Sequence, residues 1–201
     1  MMTTKRFCHG LVLHYAEGMT LALQAVVLIL VFQRDARLPF AVETSAFNEA
    51  AAIWGPYGVE IRRADRCDLP GEGTTLTVAV ADVQTTPDAP VRVAETLGAI
   101  RFKDGLPEAT IEIFYANVVR LTKTMSLRDQ PEPNWPALYR ALIQGRILGR
   151  VIAHEIGHYL LRSRAHTSAG LMRPRPSLAD LVDVDRRPFA LSPTAEWRAV
   201  Q

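Results

Sequence analysis

The sequence predicts an α/β fold, and three observations predict it. Residues 25–32 form an apolar run rich in β-branched side chains, which suits a buried strand. Residues 42–57 space Phe47, Ala50, Ala51, Ile53 and Trp54 at helical intervals. From Pro136 to Leu161 a long helix-compatible stretch carries Leu142, Ile147, Val151 and Ile152. The expected architecture is a mixed, mostly parallel sheet of about four to five strands, with an amphipathic helix after strand 1 and a long helix late in the chain.

The elements follow in order. The first strand covers 25–33, and a turn follows at 35–39. The helix over 42–57 takes Thr44 or Ser45 as its N-cap and is stopped by Gly55-Pro56-Tyr57-Gly58. Residues 59–64 alternate as a second strand, 65–73 are a polar loop, and 74–83 are a third strand, followed by a loop at 85–90. A short strand at 97–102 is closed by Lys103-Asp104-Gly105, and the Ile-Glu-Ile-Phe-Tyr pattern predicts another strand over 110–118. Residues 128–136 hold three prolines and read as loop. The long helix starts near Pro136, a favoured first-turn residue, and its Gly145 and Gly149 share a face suited to close approach to the sheet. Residues 169–174 read as a turn, and 177–184 as a short helix with Ser177 and Asp180 in a capping box. The tail from Arg186 is weakly patterned.

Bulk properties narrow the function. At 201 residues with 48% hydrophobic side chains, the chain can bury a core. We expect one domain over 25–201 and an N-terminal extension over 1–24. Twenty-three basic residues against 21 acidic ones, with no dense basic stretch, speak against a nucleic-acid partner. Cys8 and Cys67 form no Cys-x-x-Cys pair and read as unpaired thiols. Lys5 and Arg6 precede an apolar stretch over 21–32, but Glu17 and Gln24 interrupt its approach and no Ala-x-Ala site follows. The clean apolar part is short of the roughly 20 residues a membrane span needs. These features point to a cytoplasmic monomer without a membrane partner, with secretion left open.

The chemistry concentrates in His154-Glu155-Ile156-Gly157-His158, where three of the five histidines lie between positions 154 and 166. Residues four apart share a helix face, so both imidazoles can reach one metal ion. The alternative is a helix with surface histidines. Against it, Val151, Ile152, Ala153, Ile156, Leu160 and Leu161 make the segment apolar on most sides, and polar groups in such a setting need partners. A catalytic zinc ion (Zn2+) takes three protein ligands and leaves one position for water. It lowers the pKa of that water from about 15.7 towards about 7. Glu155 is then placed to act as general base.

His166 is the candidate third ligand. A continuing helix would carry it about 12 Å past His158, so the helix must end after Leu161 and the chain fold back. The alternatives are that His166 is an exposed loop residue, or that a carboxylate from the next helix serves: Asp180, Asp183 or Asp185, with Asp180 best placed.

These residues resemble the metzincin branch of zinc peptidases, whose pattern is His-Glu-x-x-His-x-x-Gly-x-x-His followed by a Met-turn. His154, Glu155 and His158 match, and Met172 lies in an Ala-Gly-Leu-Met turn. Leu161 stands in the place of the glycine and Arg164 in that of the third histidine, with His166 two residues later. The resemblance implies a zincin-like α+β fold, a slightly longer turn that still delivers His166, and Met172 as an apolar floor under the metal. It implies an edge strand beside the cleft that binds substrate by strand addition, for which 97–102 is the candidate. No tyrosine follows Met172, so the oxyanion stabiliser stays unassigned. The expected function is zinc-dependent hydrolysis of a peptide or protein substrate. The alternatives are a zincin that binds a peptide without cleaving it, and an intracellular regulatory protease of narrow specificity.

Overall fold

The computed structural model describes residues 26–64, 73–82, 96–127 and 129–192. The expected extension, both cysteines, most of the 65–73 loop, the 85–90 loop and the end of the tail lie outside those residues.

The elements are β1 (Val26–Phe32), α1 (Phe40–Trp54), β2 (Val59–Arg63), β3 (Thr74–Val80), β4 (Gly98–Lys103), β5 (Leu106–Ile113), α2 (Tyr115–Lys123), β6 (Ser126–Leu127), β7 (Gln130–Pro131), α3 (Ala137–Leu161) and α4 (Leu178–Val182). Five strands form one sheet in the order β2-β1-β3-β5-β4. The pairs β1–β2, β1–β3 and β3–β5 are parallel, and only β4 runs antiparallel, on β5. The fold is therefore the expected mixed α/β arrangement. The segment expected as a candidate edge strand does lie at the sheet's edge.

Alternate residues of β1, β2, β3 and β5 build the core: Leu28 and Leu30, Val59 and Ile61, Leu76 and Val78, Ile111 and Ile113 are buried. Against them pack Val42, Ala46, Ala50, Ile53 and Trp54 of α1, and Leu148, Ile152 and Ile156 of α3. Each valine, leucine or isoleucine among them stabilises the fold by about 1.5–3 kcal/mol when fully buried. Trp54 satisfies its one polar atom by donating from Nε1 to the Ala153 carbonyl at 3.0 Å. The first helix is thereby anchored one residue before His154.

Four expectations are corrected. First, α1 begins at Phe40, and Thr44 and Ser45 lie inside it. Pro39 is the N-cap: its fixed φ suits a helix start, and its carbonyl accepts from Val42 and Glu43. Second, the strand expected over 110–118 is β5, which begins at 106 and ends at Ile113. Asp104 and Gly105 both have positive φ and form the tight turn that joins β4 to β5. Third, residues 115–118 open helix α2, because Tyr115, Val118 and Thr122 bury one helical face. Fourth, Gly145 and Gly149 admit α1 rather than the sheet. A Cβ on Gly149 would stand 2.6 Å from the Ala46 carbonyl oxygen, and one on Gly145 would stand 2.5 Å from Ser45 Oγ. Further along, the same helix meets β4, where Val151 and Glu155 lie against Gly98.

Candidate metal centre

Helix α3 carries His154, Glu155 and His158 through its last two turns. It ends at Arg162, which adopts the left-handed conformation with φ 48°. Its N–H returns to the His158 and Tyr159 carbonyls, and that of Ser163 to His158. The turn thus comes one residue later than Leu161, the position where the metzincin pattern has glycine. The strain of a non-glycine residue there is offset by bonds that satisfy the helix end. The chain then folds back and brings His166 to the other two histidines.

The three imidazoles face one another. His154 Nε2 lies 3.1 Å from His158 Nε2 and 3.3 Å from His166 Nε2, and one ring nitrogen from each residue lies within 4.8 Å of the others. Backbone carbonyls fix two of the rings from behind: His154 Nδ1 donates to Leu171 at 2.7 Å, and His158 Nδ1 donates to Ser163 at 2.7 Å. Those bonds place the ring proton on Nδ1 and leave the lone pair on Nε2 pointing inward. Converging lone pairs repel unless a cation lies between them. Tetrahedral ligation at zinc–nitrogen distances of about 2.0–2.1 Å sets ligand nitrogens about 3.3 Å apart, close to the two separations measured from His154. The three histidines can therefore hold a metal ion.

Burial tunes the same groups. It pushes His154 down to about 4, opposed by the Leu171 carbonyl. Burial also lowers His158, opposed by the Ser163 carbonyl. Both are neutral, ligand-competent imidazoles at pH 7. Glu155, 6% exposed, is pushed up to about 7 by burial, partly offset by a backbone hydrogen bond from Ile100. A carboxyl poised there can both take and release a proton near neutrality.

The rival carboxylates are engaged elsewhere. Asp180 closes the capping box with Ser177 and pairs with Arg173 at 2.7 Å. Asp183 accepts from the Asp185 N–H, and Asp185 binds Arg187. Among the described residues the one group with metal-ligand spacing is His154, His158 and His166.

Met172 is buried and packs under the motif. A Cβ on Gly157 would collide with its Sδ and stand 3.1 Å from its Cε. The histidines open onto a cleft of about 1210 Å3, bordered by β4 on one side, α2 at one end and the 171–181 segment on the other side. Gly98 lets β4 settle on α3: a Cβ there would collide with Val151 and stand 3.8 Å from Glu155 Cγ. At the free edge of β4, Arg164 donates to the Phe102 carbonyl at 3.3 Å.

The carbonyls of Leu171 and Ser163 and the N–H of Ile100 escape sequence reasoning, because any residue supplies them. Gly98 leaves a signal, since a glycine in a strand marks close backbone approach.

No protein-family model, curated protein or solved structure matches this chain.

Proposed function

We propose that this protein is a zinc-dependent peptidase that hydrolyses an extended peptide segment with Glu155 as general base. The observation that carries the reading is the convergence of three histidine nitrogens beside a buried carboxyl at the edge of a sheet. A zinc ion held by His154, His158 and His166 would supply Lewis-acid polarisation of the scissile carbonyl and acidify the attacking water. Glu155 takes the proton from that water and returns it to the amide nitrogen as the C–N bond breaks. The free edge of β4 receives the substrate as an added strand, which holds the scissile bond beside Glu155. The mixed sheet order, the late motif helix and Met172 beneath Gly157 agree with the resemblance to metzincin-type peptidases.

The test is Glu155→Gln. The variant is expected to bind one equivalent of zinc as wild type does, and to lose peptide hydrolysis by a factor on the order of 10²–10⁴. Full turnover in that variant would remove Glu155 from the mechanism.

A further inference from the structure

The cleft has a strongly one-sided charge. Six arginines line it (Arg101, Arg120, Arg150, Arg164, Arg173 and Arg175), and Glu155 is the one carboxylate among the described lining residues. The chain as a whole is nearly balanced, at +2, so this is a local concentration. Three of the six are neutralised by carboxylates outside the cleft: Arg101 by Glu112, Arg150 by Glu49 and Arg173 by Asp180. Arg120 is bonded to Asn117. Arg164 and Arg175 are exposed, and neither has a carboxylate partner among the described residues. Three neutral imidazoles would also leave the charge of a divalent cation uncompensated, which adds to the positive field.

Arg164 has a second property. Its guanidinium donates to the Phe102 carbonyl and lies 4.8 Å from the centre of the Phe102 ring. It therefore occupies an acceptor on the open edge of β4. A strand laid along that edge brings its own N–H groups to the carbonyls there. The exchange at Phe102 releases the guanidinium beside the incoming chain, where a planar fork with no carboxylate of its own recognises a carboxylate.

Resting on the peptidase reading above, we propose that the cleft selects an acidic peptide segment, with Arg164 and Arg175 receiving Asp or Glu side chains of the substrate. Backbone pairing with β4 supplies general affinity, and the two arginines supply the preference.

The experiment uses the zinc-loaded full chain carrying Glu155→Gln, so that peptides bind without being cut. Binding of a fluorescein-labelled peptide rich in Asp and Glu is compared by anisotropy with that of its Asn/Gln counterpart of equal length. The acidic peptide should bind about tenfold more tightly, and the ratio should shrink as NaCl is raised. Adding Arg164→Gln and Arg175→Gln should bring the ratio close to one, whereas Arg164→Lys with Arg175→Lys should retain most of it. Unchanged zinc stoichiometry in each variant shows that the site is intact. Equal affinity for the two peptides overturns the proposal. So does tighter binding of a single-stranded oligonucleotide than of the acidic peptide, since the field would then serve a different polyanion. Hydrolysis of both peptides by the wild-type zinc protein is measured alongside. If neither is cut while the acidic preference holds, the peptidase reading fails and the acidic-segment proposal stands.

Discussion

Arg150 lies one helical turn before His154 and is paired through Nε with Glu49 Oε1 at 3.0 Å, both side chains being almost completely buried. The same guanidinium donates to the carbonyls of Asp180, Asp183 and Asp185, and lies 4.6 Å from the centre of the Phe189 ring. Burial holds its pKa below the ordinary arginine value, against the pull of Glu49. One residue of α3 thus gathers α1 and the segment that borders the cleft. Arg150→Met leaves Glu49 buried with Arg186 as its remaining ion-pair partner and removes the donors to those carbonyls. A loss of about 3–5 kcal/mol is expected. Urea midpoints test the stability. Limited proteolysis should show new cleavage between residues 178 and 189, and a variant as resistant as wild type would count against this role.

The ligand set predicts a sharp contrast between two alanine variants. His166→Ala removes one of three converging nitrogens and should lower zinc affinity by two or more orders of magnitude. Asp180→Ala should keep the metal and lose about 1 kcal/mol of stability, from the helix cap and the Arg173 pair. Equilibrium dialysis against a competing chelator reads both. Zinc loss in the Asp180 variant alone would reverse the assignment.

The helix-packing glycines predict an order of tolerance. A methyl group at Gly145 or Gly149 meets side chains and backbone of α1, which cannot move independently of the core. Gly145→Ala and Gly149→Ala should each cost about 1–3 kcal/mol. Gly157→Ala meets the flexible end of Met172 and should cost less stability while disturbing the floor of the metal centre. Equal denaturation midpoints for all three variants would show that the contacts with α1 are not limiting.

Half-buried His154 and buried Glu155 oppose each other in the pH dependence of the metal-free protein. His154 is pushed from 6.5 to about 4, so its contribution is intact above 6.5 and is lost as pH falls towards 4. Glu155 is pushed from 4.5 to about 7, so its contribution is intact below 4.5 and is lost as pH rises through 7. Between 4.5 and 6.5 the two slopes have opposite sign. Glu155→Gln removes one of them, and the stability of that variant should rise with pH across this window more steeply than that of wild type. Urea midpoints at several pH values decide it, and parallel profiles would show that Glu155 carries no such shift.

Much of the fold was legible because burial writes a period into the chain. The β-branched run of β1 and the helical spacing in α1 and α3 were read from apolar residues alone. The motif was legible because a metal demands fixed residue types at fixed spacing. His166 stands out by its closeness to the motif, and as a ligand it requires the helix to stop, which it does although Arg162 takes the left-handed position that glycine usually fills. The missed elements have physical causes. Helix α2 shares its first residues with a β-like pattern, and only the burial of Tyr115, Val118 and Thr122 on one face decides between them. The Asp104-Gly105 turn was a readable hairpin signal and would have moved the start of β5 to 106. The partner of Gly145 and Gly149 was illegible, because a bare helix face does not say whether a helix or a sheet will cover it. The carbonyls that orient His154 and His158 carry no residue-type signature at all.

The central claim is most directly tested by zinc K-edge X-ray absorption on the protein loaded with one equivalent of zinc. Three imidazole nitrogens and one exchangeable water oxygen at about 2.0–2.1 Å are the predicted shell, with one imidazole lost in His166→Ala. A shell containing two or fewer imidazoles, or one unchanged by His166→Ala, would contradict the account.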